Sequence, residues 1–144
     1  MAVTRDTGGA REQCCLACEA RRPCRVRHSQ LRLDSRPSGT GGRLLGTWTA
    51  TVGAPATPTP TGRTFLLALL APPHPSYSPL VLPLGFHSNT LDTVGGGPGT
   101  VGVHGWPDPS VFGRAVSHGC VRVPAAALHA MSLVPVGSLV LITS

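Results

Sequence analysis

The chain has 144 residues, enough for one domain with one moderate core, and its eighteen glycines, fifteen prolines and 4% aromatics argue against long helices. All twelve basic residues are arginine, and the formal charge of +6 is unevenly spread: residues 1–45 hold nine arginines against four acids, the remainder three against two. That basic arm suits nucleic acid, an anionic membrane or an acidic wall polymer, but it lacks the interleaved aromatics of a single-strand binder; it reads as a solvated tail with no nucleic-acid function.

In chain order, AREQCCLACEARR predicts a short helix stopped by Pro23. VRHSQLRLD alternates through Val26, Leu31 and Leu33 as a half-buried strand does, RPSGTGG predicts a turn, and LLGTWTATVG predicts a partner strand carrying Trp48. Residues 54–62, APATPTPTG, read as a stiff extended connector. RTFLLALL and LVLPLGF predict strands on either side of the proline-broken APPHPSYSP. NTLDTVGGGPG predicts a glycine loop leading into the strand TVGVHG, which ends near His104. Pro124 suits the first position of a helix through AAALHAM, and SLVLITS closes the chain as an apolar strand. No segment approaches the roughly 18 apolar residues of a membrane span, and the start MAVTRDTGGAREQ shows no apolar signal region.

GRAVSHGCVRVP, residues 113–124, concentrates the reactive groups. A thiol with the ordinary pKa of about 8.5 is mostly protonated at neutral pH, so a reactive cysteine needs a base nearby. Two histidines qualify: His118, two residues before Cys120, and His104, sixteen residues before it and adjacent only if the two strands pair. Gly119 lets backbone N–H groups approach a reacting carbonyl, as an oxyanion site requires, and Arg122 offers a planar fork for a carboxylate. Against this stands the plain alternative of an inert core cysteine and satisfied histidines.

HGWPDPSVFGRAVSHGCVRV resembles the signature of the L,D-transpeptidase catalytic domain, the YkuD-like family: an HG pair, a short loop, a glycine, then S-H-G-C, an apolar residue and Arg or Asn. TPTG at Thr59–Gly62 followed by Phe65 resembles its upstream T-P-T-G-x-F element. GFHSNTLDTVGGGPGTVGVHG and VPVGSLVLI resemble its approach to the histidine and its closing strand. The resemblance covers about residues 25–144 and implies a mainly β, sandwich- or barrel-like domain with one or two short helices, leaving residues 1–24 as an arm outside it.

It implies Cys120 as nucleophile, His104 as base and the Gly105 carbonyl as its orienting partner. His118 and Gly119 would then surround the oxyanion site, Ser117 would open the motif, and Arg122 would contact substrate or brace the loop. The implied partners are peptidoglycan stem peptides, donor and acceptor, and carbapenem-type inhibitors; no metal or organic cofactor is expected. The implied location is the cell envelope, periplasm or extracellular face. Trp106 and Pro107 replace the Thr or Ser and then Asn frequent after HG, which touches the acceptor side.

Cys14, Cys15, Cys18 and Cys24 with His28 form C-x-x-C-x5-C-x3-H counted from Cys15, a conceivable zinc set whose short middle spacing matches no standard finger. In an exported chain disulfides are the alternative. The sequence reading places all four cysteines in the arm.

Overall fold

The computed structural model describes residues 24–27, 29–34, 44–94 and 97–144. Its first strands follow the alternation of the sequence. β1 (Cys24–Arg27) buries Cys24 and Val26, and β2 (Gln30–Asp34) buries Leu31 and Leu33. The single strand expected across VRHSQLRLD is thus two, paired antiparallel around Ser29, whose φ of 60° is left-handed. Alternation survives a tight reversal, so periodicity alone hides the turn. β3 (Leu44–Thr49) pairs antiparallel with β2, Leu31 opposite Trp48, which is the expected hairpin. The RPSGTGG turn and the AREQCCLACEARR helix lie outside the described residues.

The next strands are short. β4 (Val52–Gly53) is followed by β5 (Gly62–Phe65), β6 (Val81–His87), β7 (Thr93–Val94), β8 (Gly97–Pro98) and β9 (Thr100–Gly105). β5 is shorter than RTFLLALL: beyond Phe65 the segment leaves β12 for β6 through single bridges, Leu66 to Leu84 and Leu70 to Val81. After a 3-10 turn at Pro109–Val111 come β10 (Ala115–Ser117), β11 (Val121–Val123), the helix α1 (Ala125–Ser132) and β12 (Leu139–Thr143). Pro124 stands one residue ahead of its expected place, as the helix N-cap, since its ψ of 157° is still extended.

Two main sheets result, a five-stranded one in the order β3-β2-β1-β12-β5 and a three-stranded one in the order β11-β9-β6. Their inner faces share one core: Val26, Leu31, Leu33 and Val140 from the first, Leu82, Leu84, Val101, Val103, Val121 and Val123 from the second. α1 adds Ala127, Leu128 and Met131. Each such fully buried side chain contributes about 1.5–3 kcal/mol of transfer free energy, which is what drives the layers together. The fold is mainly β, as expected, with one α-helix among the described residues.

Cys24 corrects the sequence reading. It is the first residue of β1, fully buried, with its Sγ 4.0 Å from Met131 Sδ, and not part of an outlying arm. Burial, helped by the negative charge of Asp34, pushes its thiol up to about 12, so it stays protonated and packs as a small apolar side chain. The other members of the conceivable zinc set lie outside the described residues.

Candidate active site

The strand pair β9–β11 builds the site. The two run parallel, with Val103 beside Val121, His104 beside Arg122 and Gly105 beside Val123. Val101, Val103, Val121 and Val123 point into the core, so alternation sends Gly102, His104, Cys120 and Arg122 to the opposite face. Stepping the register back by one residue puts Cys120 level with Gly102, one alternate position from His104. Residues far apart in the chain thus share the floor of a cavity of about 1020 Å³, whose walls include Tyr77, Trp106, Ser117 and His118.

Cys120 is not in a strand. Residues 118–120 form a turn between β10 and β11, made possible by Gly119 at φ 112°, which other residues resist. Ser117 Oγ donates to the Cys120 carbonyl at 2.6 Å and accepts the Gly119 N–H at 3.1 Å. The connector holds the turn from behind: Thr57 Oγ1 donates to the Ser117 carbonyl at 2.9 Å and Thr59 Oγ1 to the Gly119 carbonyl at 2.8 Å. Thr59 Oγ1 in turn accepts the Gly53 N–H at 2.8 Å. Thr57 and Thr59 therefore act as a brace. With its own N–H engaged by Ser117, Gly119 contributes the backbone conformation of the turn.

His104 is held in one tautomer. Its Nδ1 lies 2.7 Å from the Gly105 carbonyl, which only accepts, so Nδ1 carries the proton and Nε2 is left as the acceptor. The Gly105 N–H donates to Ser78 Oγ at 2.7 Å, and Ser78 Oγ donates to the Leu80 carbonyl at 2.5 Å. Tyr77 packs edge-on to the imidazole, ring centres 4.9 Å apart. Burial lowers the His104 pKa; the Gly105 hydrogen bond offsets part of this, and the Arg122 charge adds to the lowering. At neutral pH the ring is therefore an uncharged base.

The thiol is tuned from both sides. Burial raises the Cys120 pKa, while the Gly102 backbone N–H and the Arg122 charge pull it down. Arg122 itself is anchored by its backbone, its N–H donating to the Thr51 carbonyl at 3.0 Å and its carbonyl accepting from Thr51 at 2.8 Å. Its guanidinium lies 3.7 Å from the centre of the Trp106 ring, and its buried Nε has no hydrogen-bond partner. The ion pair among the described residues is Arg32–Asp34, so Arg122 faces the cavity as a cation without a carboxylate.

The structure thus gathers Cys120, His104, His118 and Arg122 on one cavity, with Ser117, Gly119 and Gly105 behind them. Sequence reasoning missed Ser78, Tyr77, Thr51 and Thr57. A serine or tyrosine in a proline-rich loop carries no periodic signal; tertiary hydrogen bonds identify Ser78, Thr51 and Thr57, and ring contacts identify Tyr77.

The L,D-transpeptidase catalytic domain model matches residues 39–142. Among curated proteins there is no match. Solved structures with a similar fold include Bd1075 of Bdellovibrio bacteriovorus, 21% identical, TM-score 0.66, covering 88% of this chain and 49% of that one. An L,D-transpeptidase from Mycobacterium smegmatis is 21% identical over 85% of this chain and 58% of its own, TM-score 0.57. The L,D-transpeptidase LdtMt1 in complex with imipenem is 22% identical over 87% of this chain and 59% of its own, TM-score 0.56. The chain therefore spans roughly half to three fifths of the length of these chains. With more than half its length matched, the chain belongs to the L,D-transpeptidase catalytic-domain family.

Proposed function

We propose that the protein is a peptidoglycan L,D-transpeptidase that works through a cysteine acyl-enzyme. The observation that carries this reading is the parallel β9–β11 pairing, which sets an uncharged His104 and the thiol of Cys120 on one cavity floor beside Arg122, which has no carboxylate partner among the described residues. Cys120 Sγ attacks the carbonyl of the third stem-peptide residue while His104 Nε2 takes the thiol proton. The tetrahedral oxyanion is held by the Cys120 backbone N–H, the Gly119 N–H being engaged by Ser117 Oγ. Collapse breaks the peptide bond; His104 returns the proton to the leaving amine, and terminal D-alanine departs. The side-chain amine of a second stem then attacks the thioester, regenerating the thiol and forming a 3→3 link.

Because burial holds the thiol up and the imidazole down, the resting pair is thiol and neutral imidazole, and the proton moves as attack begins. Arg122 takes the carboxylate of the departing residue, or that of a carbapenem; one structural neighbour is an L,D-transpeptidase in complex with imipenem. A cell-envelope location follows from the substrate.

Hydrolysis of the same acyl-enzyme is the second reading. Tyr77 and Trp106 form a wall shared by the main cavity and a smaller one of about 340 Å³ beside α1, and a water needs less room there than a second stem's amine. Incubating the protein with a disaccharide tetrapeptide and following products by mass spectrometry separates the two. Crosslinked dimer supports transfer and free tripeptide supports hydrolysis; unchanged tetrapeptide defeats both.

A further inference from the structure

The outward face of the five-stranded sheet takes no part in the site above. Register sets Thr47, Arg32, Arg25, Leu141 and Arg63 in one row across β3, β2, β1, β12 and β5. Their neighbours Leu31, Val26, Ile142 and Thr64 are buried, so this row points away from the core. Arg27 stands in the next row, between Gln30 and Thr143. Arg25 and Arg32 are directly opposed, an arrangement that costs a sheet stability. Asp34 takes up Arg32 at 3.1 Å, while Arg25, Arg27 and Arg63 have no ion pair among the described residues.

The same face is also apolar at one end. Beyond Arg63, β5 turns Phe65 outward at 49% exposure; Leu67, just past the end of β5 with its N–H donating to the Pro83 carbonyl of β6, is 53% exposed. Leu139 lies beside Phe65 in the register. Neither half of this face is needed by the core, which lies on the other side of the sheet.

Three occupants compete. A soluble polyanion accounts for the guanidinium groups but leaves Phe65 and Leu67 unexplained. A second copy of the chain buries unpaired guanidinium groups against leucines, which is unfavourable. An anionic bilayer surface accommodates both halves at once, with arginines at the phosphates and aromatic and leucyl groups in the interfacial region below.

We propose that this face docks the protein peripherally on an anionic phospholipid surface, through Arg25, Arg27 and Arg63 with Phe65 and Leu67. No helix among the described residues is long and apolar enough to cross a membrane. The Cys120 cavity is built on the β9–β11 pair of the other sheet. The proposal is independent of the reaction catalysed.

The test is co-sedimentation of the full chain with phosphatidylcholine vesicles, with and without phosphatidylglycerol. Binding is expected only with phosphatidylglycerol, and weaker as salt rises. Arg25→Gln/Arg27→Gln/Arg63→Gln should weaken it on the order of 10²-fold. Phe65→Ser/Leu67→Ser should weaken vesicle binding and leave binding to soluble polyphosphate unchanged. Unaltered circular dichroism in both variants separates these losses from misfolding. The proposal is overturned by failure to bind the vesicles, by binding that survives the triple arginine change, or by vesicle binding indifferent to the Phe65/Leu67 pair. A concentration-dependent dimer abolished by either variant overturns it in favour of a second copy.

Discussion

Cys24 and Cys120 both sit beside parallel strand partners, Cys24 level with Val140 of β12 and Cys120 one step ahead of the β9–β11 pairing. Burial raises both thiols. Around Cys24 the remaining influences agree with burial: Met131 sulfur on one side and the negative charge of Asp34 nearby. Around Cys120 they oppose it, through the Gly102 N–H and the Arg122 cation, and a neutral imidazole shares its cavity. Shelter from water is thus common to an inert thiol and to the proposed nucleophile. What separates them is whether the surrounding polar groups favour the thiolate and whether a base can take the proton.

The largest effect that sharpens this contrast comes from removing the thiol itself. Cys120→Ala should abolish both turnover and the covalent adduct with a carbapenem, read as one added drug mass by intact-protein mass spectrometry. Deleting residues 1–20, ahead of β1, should leave most of the activity. A folded truncated protein without activity assigns the arm to the site.

Next in size is the base. His104→Ala should slow acylation by on the order of 10²–10⁴, since the imidazole that takes the thiol proton is gone. The wild-type pH profile carries a sign. His104 titrates below the ordinary histidine range, so acylation should rise with pH through that lower range and already be level at pH 7. A rate still climbing steeply between pH 6.5 and 7.5 contradicts a lowered pKa. His118→Ala should leave this profile in place.

Arg122→Lys should slow carbapenem acylation about tenfold, the worth of one charge-assisted hydrogen bond lost with the planar fork. It also removes the stacked guanidinium from Trp106. Equal rates in the two proteins make Arg122 a brace anchored to Thr51 and nothing more.

How much of this was legible beforehand divides along the same line. Alternation in VRHSQLRLD, TVGVHG and SLVLITS revealed which residues face the core, because a half-buried strand writes its period into the sequence. The family signature named His104 and Cys120. Neither showed the reversal at Ser29, the end of β5 at Phe65 or the burial of Cys24, since each depends on what lies across the sheet. The Ser78 support of Gly105 and the Thr57 hold on Ser117 were equally silent, being bonds between segments remote in the chain. Thr59 belonged to a motif that could be seen, but its role as a brace under Gly119 could not.

The smallest expected effect tests the inert half of the comparison. Cys24→Ala removes a buried sulfur from beside Met131 and Val140 while leaving the β1–β12 pairing intact. The loss is close to that of one buried methyl-sized group and a small void, about 1 kcal/mol. It should appear as a lowered urea midpoint with an unchanged slope, because the surface exposed on unfolding is the same. Carbapenem acylation should match the wild-type rate, since Cys24 is not among the residues lining the cavity and its thiol, at about 12, stays protonated through the working range. For the same reason iodoacetamide should label Cys120 and spare Cys24 in the folded protein, and label both after denaturation. A Cys24→Ala variant that unfolds normally yet acylates slowly makes Cys24 part of the chemistry, and the distinction between the two thiols then fails.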